Sequence, residues 1–371
     1  MRGFKTGWML ACCGVLGTAS LAQAQPPQAT LHPVVFAHGM GGYEDLLGFA
    51  YFGDEMGLFV GDACDEPLEW HCNAGLHPRQ RTFGSQVLAF HSSEVRGLDL
   101  AADIEGLLAT TGAKRVNIIG HSQGGIDARK AAKVLFEQQH RAVVDVLVGV
   151  SSPHRGSPVA KYILDMGPGV SSVVAALANI FGNSVYAPGN DAIAAMKQLV
   201  YDDIQSNDGV VTGMKAFNTA YPMDSRHVSS YTSLLTAQTA AQVNPAFYLL
   251  RLGFLDIDGN GYCVDDCDGD GAAGQGDGIR QDRDDDGVVG INSQQMGKRL
   301  RYTESVWGPG LIAEDRSIPA VTDLNAPNVV QMTSISSVLD QDHLDVVGVG
   351  PDLFNEPKFY AAIIQYIREH E

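Results

Sequence analysis

Apolar positions along this chain fall into two rhythms. Short, nearly continuous apolar runs stand at 33–37 (PVVFA), 114–120 (KRVNIIG) and 143–150 (VVDVLVGV), the pattern of strands buried on both faces. Over 94–110 (EVRGLDLAADIEGLLAT) the apolar residues Val95, Leu98, Leu100, Ile104, Leu107 and Leu108 recur at helical spacing, which predicts an amphipathic helix. Residues 86–91 (QVLAFH) read as a further strand and 126–138 as a further helix. Strands alternating with helices predict an α/β fold with a mainly parallel sheet and helices on both faces. The stretch 61–81 is polar, carries two cysteines and two prolines, and breaks the periodicity, so it reads as a surface excursion. With no internal repeat and no interdomain linker, residues 25–371 read as one domain with insertions.

Composition narrows the function classes. The 371 residues are 45% hydrophobic and 18% charged, enough apolar surface for a packed core, and the net charge of −18 repels phosphate backbones and anionic membrane surfaces. A nucleic-acid partner is not expected. Eleven aspartates fall within residues 256–286, a density that asks for cations or water. Residues 1–24 read as a signal peptide: Arg2 and Lys5 precede an apolar stretch, and Ala22-Gln23-Ala24 has the small-x-small cleavage pattern. Lipidation at Cys12 is disfavoured because the apolar run before it is short. Cleavage leaves Cys64, Cys72, Cys263 and Cys267, an even number that favours disulfides in an exported chain. Of three connectivities, the short spacings favour Cys64 with Cys72 and Cys263 with Cys267. No later apolar run reaches the roughly 18 residues that span a bilayer, so no transmembrane segment is expected and the product reads as secreted, with the periplasm as transit or alternative.

Candidate chemistry centres on Gly120-His121-Ser122-Gln123-Gly124, a G-x-S-x-G string directly after an apolar strand and before a helix. In that context it forms a nucleophile elbow: a sharp turn strains the serine backbone, and the glycines let strand and helix approach. Ser122 then stands at a helix N-terminus, where backbone N–H groups favour a developing negative charge. An oxyanion hole needs two such donors. One is the amide of Gln123, and the other is expected from His38-Gly39-Met40, with Met40 the best candidate.

At these residues the chain resembles the secreted bacterial triacylglycerol lipases of the Pseudomonas and Burkholderia type. The resemblance rests on PVVFAHGM, SEVRG at 93–97, VNIIGHSQGG at 116–125, SSPHRGS at 151–157, FNTAYP at 217–222, DGVVG at 286–290 and DHLD at 342–345, in the family's order. It implies an α/β-hydrolase fold with a helical lid, and hydrolysis of carboxylic esters.

In that fold the acid and then the histidine follow the serine. The later histidines are His140, His154, His227, His343 and His370; His140 sits at a polar helix end and His370 at a terminus. The resemblance assigns the base to His343 and gives His154 a non-catalytic position. Two strings, 207–211 (NDGVV) and 285–289 (DDGVV), tie as carriers of the acid. The resemblance of the following GVVGINSQQMGK favours Asp286, with Asp208 as runner-up and Asp284 or Asp285 behind it.

Residues 170–181 (VSSVVAALANIF) are apolar and uncharged with glycines at both ends; a buried helix is the plain reading, and the resemblance makes the region 157–190 a lid. The insert at 256–286 has no counterpart in the family. Asp266, Asp268, Asp270 and Asp277 follow calcium-loop spacing, and Asp256, Asp258 and Asn260 begin a second such loop. A third start at Asp282 competes for Asp286. Asp345 matches one ligand of the family's calcium site, but Val349 and Asn244 stand where other ligands would be, so a structural Ca2+ is expected chiefly in the insert. The family often needs a membrane-bound folding helper. The sequence thus points to a secreted serine carboxylester hydrolase acting on ester at an interface, most simply a triacylglycerol lipase. An esterase or polyester depolymerase is the alternative, and a catalytically silent calcium-binding protein the rival from another class.

Overall fold

The structure, a computed structural model, describes residues 29–42, 45–46, 49–50, 77, 79–165, 170–181, 185–200, 213–239, 242–244, 247, 283–305, 310–349 and 353–371. Residues 1–24, the four cysteines 64, 72, 263 and 267, Asp208 and the calcium-loop residues 256–277 lie outside them.

In chain order the described elements are β1 (Val34–Ala37), the two-rung hairpin β2 (Asp45–Leu46) and β3 (Phe49–Ala50), β4 (Thr82–Gly84), α1 (Ser93–Thr111), β5 (Val116–His121), α2 (Gln123–Gln139), β6 (Val144–Val150), α3 (Pro158–Asp165), α4 (Val170–Phe181), α5 (Ala192–Gln198), α6 (Met214–Ala220) and β7 (Val228–Leu234). There follow one helical turn α7 (Ile291–Gln294), β8 (Lys298–Thr303), β9 (Leu311–Glu314), α8 (Val329–Thr333) and α9 (Glu356–His370). Seven strands form one sheet in the order β4-β1-β5-β6-β7-β8-β9, all pairs parallel except β8 with β9.

Alternation along the central strands sorts side chains to the two faces. Val34 and Phe36 pack on one side with Phe359, Ile363 and Ile367 of α9, and Phe36 meets Tyr360 edge-on at 5.7 Å. Val35 and Ala37 face the other way, onto Leu100 and Ile104 of α1 and Ala128, Ala131 and Leu135 of α2. Each large apolar side chain so enclosed contributes about 1.5–3 kcal/mol relative to exposure, which is why these strands read as unbroken apolar runs.

The segment 86–91 departs from the sequence expectation: the strand is Thr82–Gly84, and QVLAFH is loop. Val87 and Phe90 are buried as a strand would bury them. The carbonyls of Leu88 and Ala89, however, accept hydrogen bonds from Arg96 of α1. A buried guanidinium satisfies this backbone where a ladder otherwise would. The polar strands β7 and β8 and the short β9 lie beyond the apolar runs from which the sheet was anticipated.

Candidate active site

The end of β5 and the start of α2 are joined by a single residue. Ser122 has φ 52° and ψ −129°, a conformation costing an L-residue of order 1–3 kcal/mol. The glycines around it show why the turn can close. A Cβ on Gly124 would lie 2.1 Å from the carbonyl oxygen of Ala37 at the end of β1, and one on Gly120 would lie 2.6 Å from the backbone of Gly125. The elbow is therefore wedged against the neighbouring strand, and the Ser122 hydroxyl faces a cavity lined by Met40, His343, Leu177, Phe181, Met196 and Phe247 among others.

His343 comes from the loop before α9. Its Nε2 lies 2.8 Å from Ser122 Oγ and its Nδ1 2.7 Å from Asp286 Oδ2. Since a carboxylate only accepts, Nδ1 carries the proton and Nε2 is left to accept the serine hydroxyl. The turn that bears Asp286 is held on both oxygens. Oδ1 accepts the N–H groups of Val288 and Val289 at 3.1 and 2.8 Å, and Oδ2 accepts from Thr236 Oγ1 at 3.1 Å and Gln294 Nε2 at 3.2 Å. Asp285 turns its Oδ1 to the Gly287 amide at 2.6 Å. The other later histidines serve elsewhere: His140 caps α2 in the left-handed conformation, His154 is buried behind β6, His227 packs on Phe136, and His370 bonds the Tyr366 carbonyl.

The two expected oxyanion donors flank the serine differently. Gln123 opens α2, and its side chain is drawn away to the His91 carbonyl at 2.8 Å and Ser93 Oγ at 3.2 Å. Met40 lines the cavity, in a loop whose orientation is set by Arg96. That side chain is fully buried and paired through Nε with Asp127 Oδ2 at 2.8 Å, and its Nη2 donates to the carbonyls of His38 at 2.7 Å and Gly39 at 3.3 Å. In a trans peptide the C=O and the next N–H point oppositely, so drawing the Gly39 carbonyl onto Arg96 sends the Met40 N–H away from α1. Burial and the same guanidinium hold the His38 ring neutral, its pKa lowered to about 3. On the ester-hydrolase expectation drawn from the sequence, Arg96→Lys, which keeps charge but loses the planar fork, should lower kcat by about 10²-fold, the value of one oxyanion donor. Arg96→Met should in addition lower the melting temperature, because it strands Asp127. Steady-state kinetics with a soluble nitrophenyl ester and thermal melts would check both.

Sequence reasoning brought Ser122, Asp286, His343, Met40 and Gln123 forward; the structure sets Ser122, His343 and Met40 on the cavity wall, with Asp286 buried behind His343 and Gln123 buried next to Ser122 at the start of α2. It did not single out Thr236, Gln294 or Arg96 for these roles, although Arg96 and Gln294 lie within strings that carried the resemblance.

Asp345 begins a short 3-10 turn after His343. Its neighbour Asp342 accepts the Leu344 and Asp345 amides, both at 2.7 Å, and the Asn244 amide. Among the described residues no three His, Cys, Asp or Glu side chains gather as metal ligands. Likewise no helix among the described residues is long and apolar enough to cross a membrane.

No family model matches the chain. Among curated proteins it is similar to a triacylglycerol lipase of Burkholderia plantarii, 32% identical over 211 residues, 52% of this chain and 53% of that protein. A triacylglycerol lipase of Vibrio cholerae is 33% identical over 153 residues, 41% and 42% of the two chains. One of Pseudomonas fragi is 26% identical over 289 residues, 73% and 84%. The chain spans about half the length of the first curated relatives it matches. Among solved structures, a metagenomic carboxyl esterase superposes with a TM-score of 0.52 at 13% identity, covering 98% of this chain and 82% of that one. The fold is that of the α/β-hydrolases.

Proposed function

We propose that this protein is a serine carboxylester hydrolase of the triacylglycerol lipase kind. The observation that carries the reading is the continuous line of hydrogen bonds from Ser122 through His343 to Asp286 at the mouth of an apolar cavity. Ser122 Oγ attacks the ester carbonyl as His343 Nε2 takes its proton. The amides of Met40 and Gln123 receive the oxyanion, and the alcohol leaves with the proton from His343. Water, activated by the same imidazole, then releases the acid from the acyl-enzyme. Asp286 fixes the tautomer and stabilises the imidazolium. Labelling of Ser122 by a fluorophosphonate, with hydrolysis of emulsified triglyceride, tests the reading. Labelling with hydrolysis confined to soluble esters or polyester film would favour the esterase or depolymerase alternative, and no labelling at all would favour the silent one.

The lipase branch is preferred because α4 supplies cover. Leu177 and Phe181 line the cavity, and Phe181 packs edge-on to Phe90 at 5.4 Å and against Gly41 of the oxyanion loop. In this reading α4 is a lid that turns its apolar face to lipid when it opens. Pinning α4 with an engineered disulfide should reduce hydrolysis of emulsified long-chain esters more than of soluble short ones; equal losses would make it a core helix.

Export through residues 1–24, two local disulfides and a structural calcium in the insert complete the proposal. The calcium rests on the spacing of Asp266, Asp268, Asp270 and Asp277. A cation bound only by the native state at a hundredfold excess over Kd adds about 2.7 kcal/mol, so chelator should lower both the melting temperature and activity. Asp266→Ala with Asp268→Ala should mimic it. Identical melts in chelator and calcium would remove the ion.

A further inference from the structure

His121, the variable position of the elbow, has no part in the proton relay, yet it is 1% exposed and lies against the base. Its Nε2 is 2.9 Å from the main-chain oxygen of His343, and the two rings are 4.8 Å apart, tilted by 48°. A carbonyl only accepts, so His121 donates through Nε2–H. The main-chain N–H of His343 in turn donates to the carbonyl of Asp286 at 3.0 Å. The base is thus bracketed along its backbone, by the acid's own carbonyl on one side and by the residue before the nucleophile on the other.

Resting on the ester-hydrolase reading, we propose that His121 is a positioning residue: two consecutive residues of the elbow grip the base, Ser122 through its ring and His121 through its main chain. The arrangement has a physical reason. The loop that carries His343 comes from 221 residues further along the chain than Ser122, and a ring free to shift by an ångström forfeits much of the rate that alignment provides. A donor built into the turn that strains Ser122 ties the position of the base to that of the nucleophile. The donor must be a neutral group, since a cation there would oppose formation of the imidazolium beside it. Burial, with the neighbouring His343 and His38 rings, holds the His121 pKa well below the usual histidine value.

The test compares His121→Gln, whose amide nitrogen can replace the donor, with His121→Leu and His121→Met, which fill the space without one. On a soluble nitrophenyl ester the Leu and Met variants should lose about 10²-fold in kcat with KM little changed, and the Gln variant should recover most of it. The downfield imidazole proton of His343, read by NMR without substrate, should stay sharp in wild type and Gln and broaden in Leu and Met. Equal losses in all three variants, or an unchanged proton signal in the variants lacking a donor, would overturn the role of the hydrogen bond. A wild-type protein that shows the signal but cleaves no ester would overturn the hydrolase reading instead, leaving the positioning result to stand separately. Met, flexible enough to follow the histidine shape, keeps the comparison open if Leu does not fold.

Discussion

Ser122→Ala should abolish ester hydrolysis while leaving the fold intact. The substitution removes the only atom that could form the acyl-enzyme at the end of the relay, and deleting a triad nucleophile lowers kcat by about 10⁶-fold. Stability should hardly move. Ser122 is nearly enclosed, its hydroxyl is bonded to His343, and the positive φ that strains the residue is imposed by the surrounding glycines rather than by the side chain. Alanine inherits the same backbone cost. The expected result is a melting curve superimposable on wild type, no fluorophosphonate adduct and hydrolysis at background. Retained turnover by a normally folded variant would sink the nucleophile.

Asp286→Asn should cost on the order of 10⁴-fold in kcat, and the hydrogen bonds around it say why so small a change does so much. Oδ1 takes two backbone amides, from Val288 and Val289, which hold the oxygen of an introduced amide on that side. The new NH2 then occupies the place of Oδ2, facing His343 Nδ1 and the donor Nε2 of Gln294. His343 can meet a donor only by moving its proton to Nε2, where it can no longer accept from Ser122. Asp208→Asn should be close to neutral on activity. Should the Asp208 variant be the inactive one, the acid belongs to the other of the two near-identical strings.

What could be read from sequence follows from how locally each feature is encoded. Strands β1, β5 and β6 were legible because both their faces are buried, so nearly every position is apolar. β7 buries Thr232 and Ser233, and β8 carries three charged residues in six as KRLRYT; neither produces a run. The loop at 86–91 looks like a strand because Val87 and Phe90 are core residues, and only Arg96 reveals that its carbonyls are satisfied another way. The elbow is written in five consecutive residues. The groups that hold the acid and the oxyanion loop act across the chain, Thr236 on Asp286 over 50 residues and Arg96 on His38 over 58, and nothing local marks such contacts.

The separation of nucleophile from base bears on when the molecule becomes competent. Joining Ser122 to His343 closes a loop of 221 residues, whose entropic cost grows only logarithmically with length but precedes any reward from the contacts it permits. The elbow and its two flanking elements are local and can form early. The base reaches them only when the polypeptide around β8, α8 and α9 has docked. On the hydrolase reading, ester cleavage is therefore an assay for completion: during refolding, helical signal should recover ahead of turnover, and the lag between them times this long-range closure.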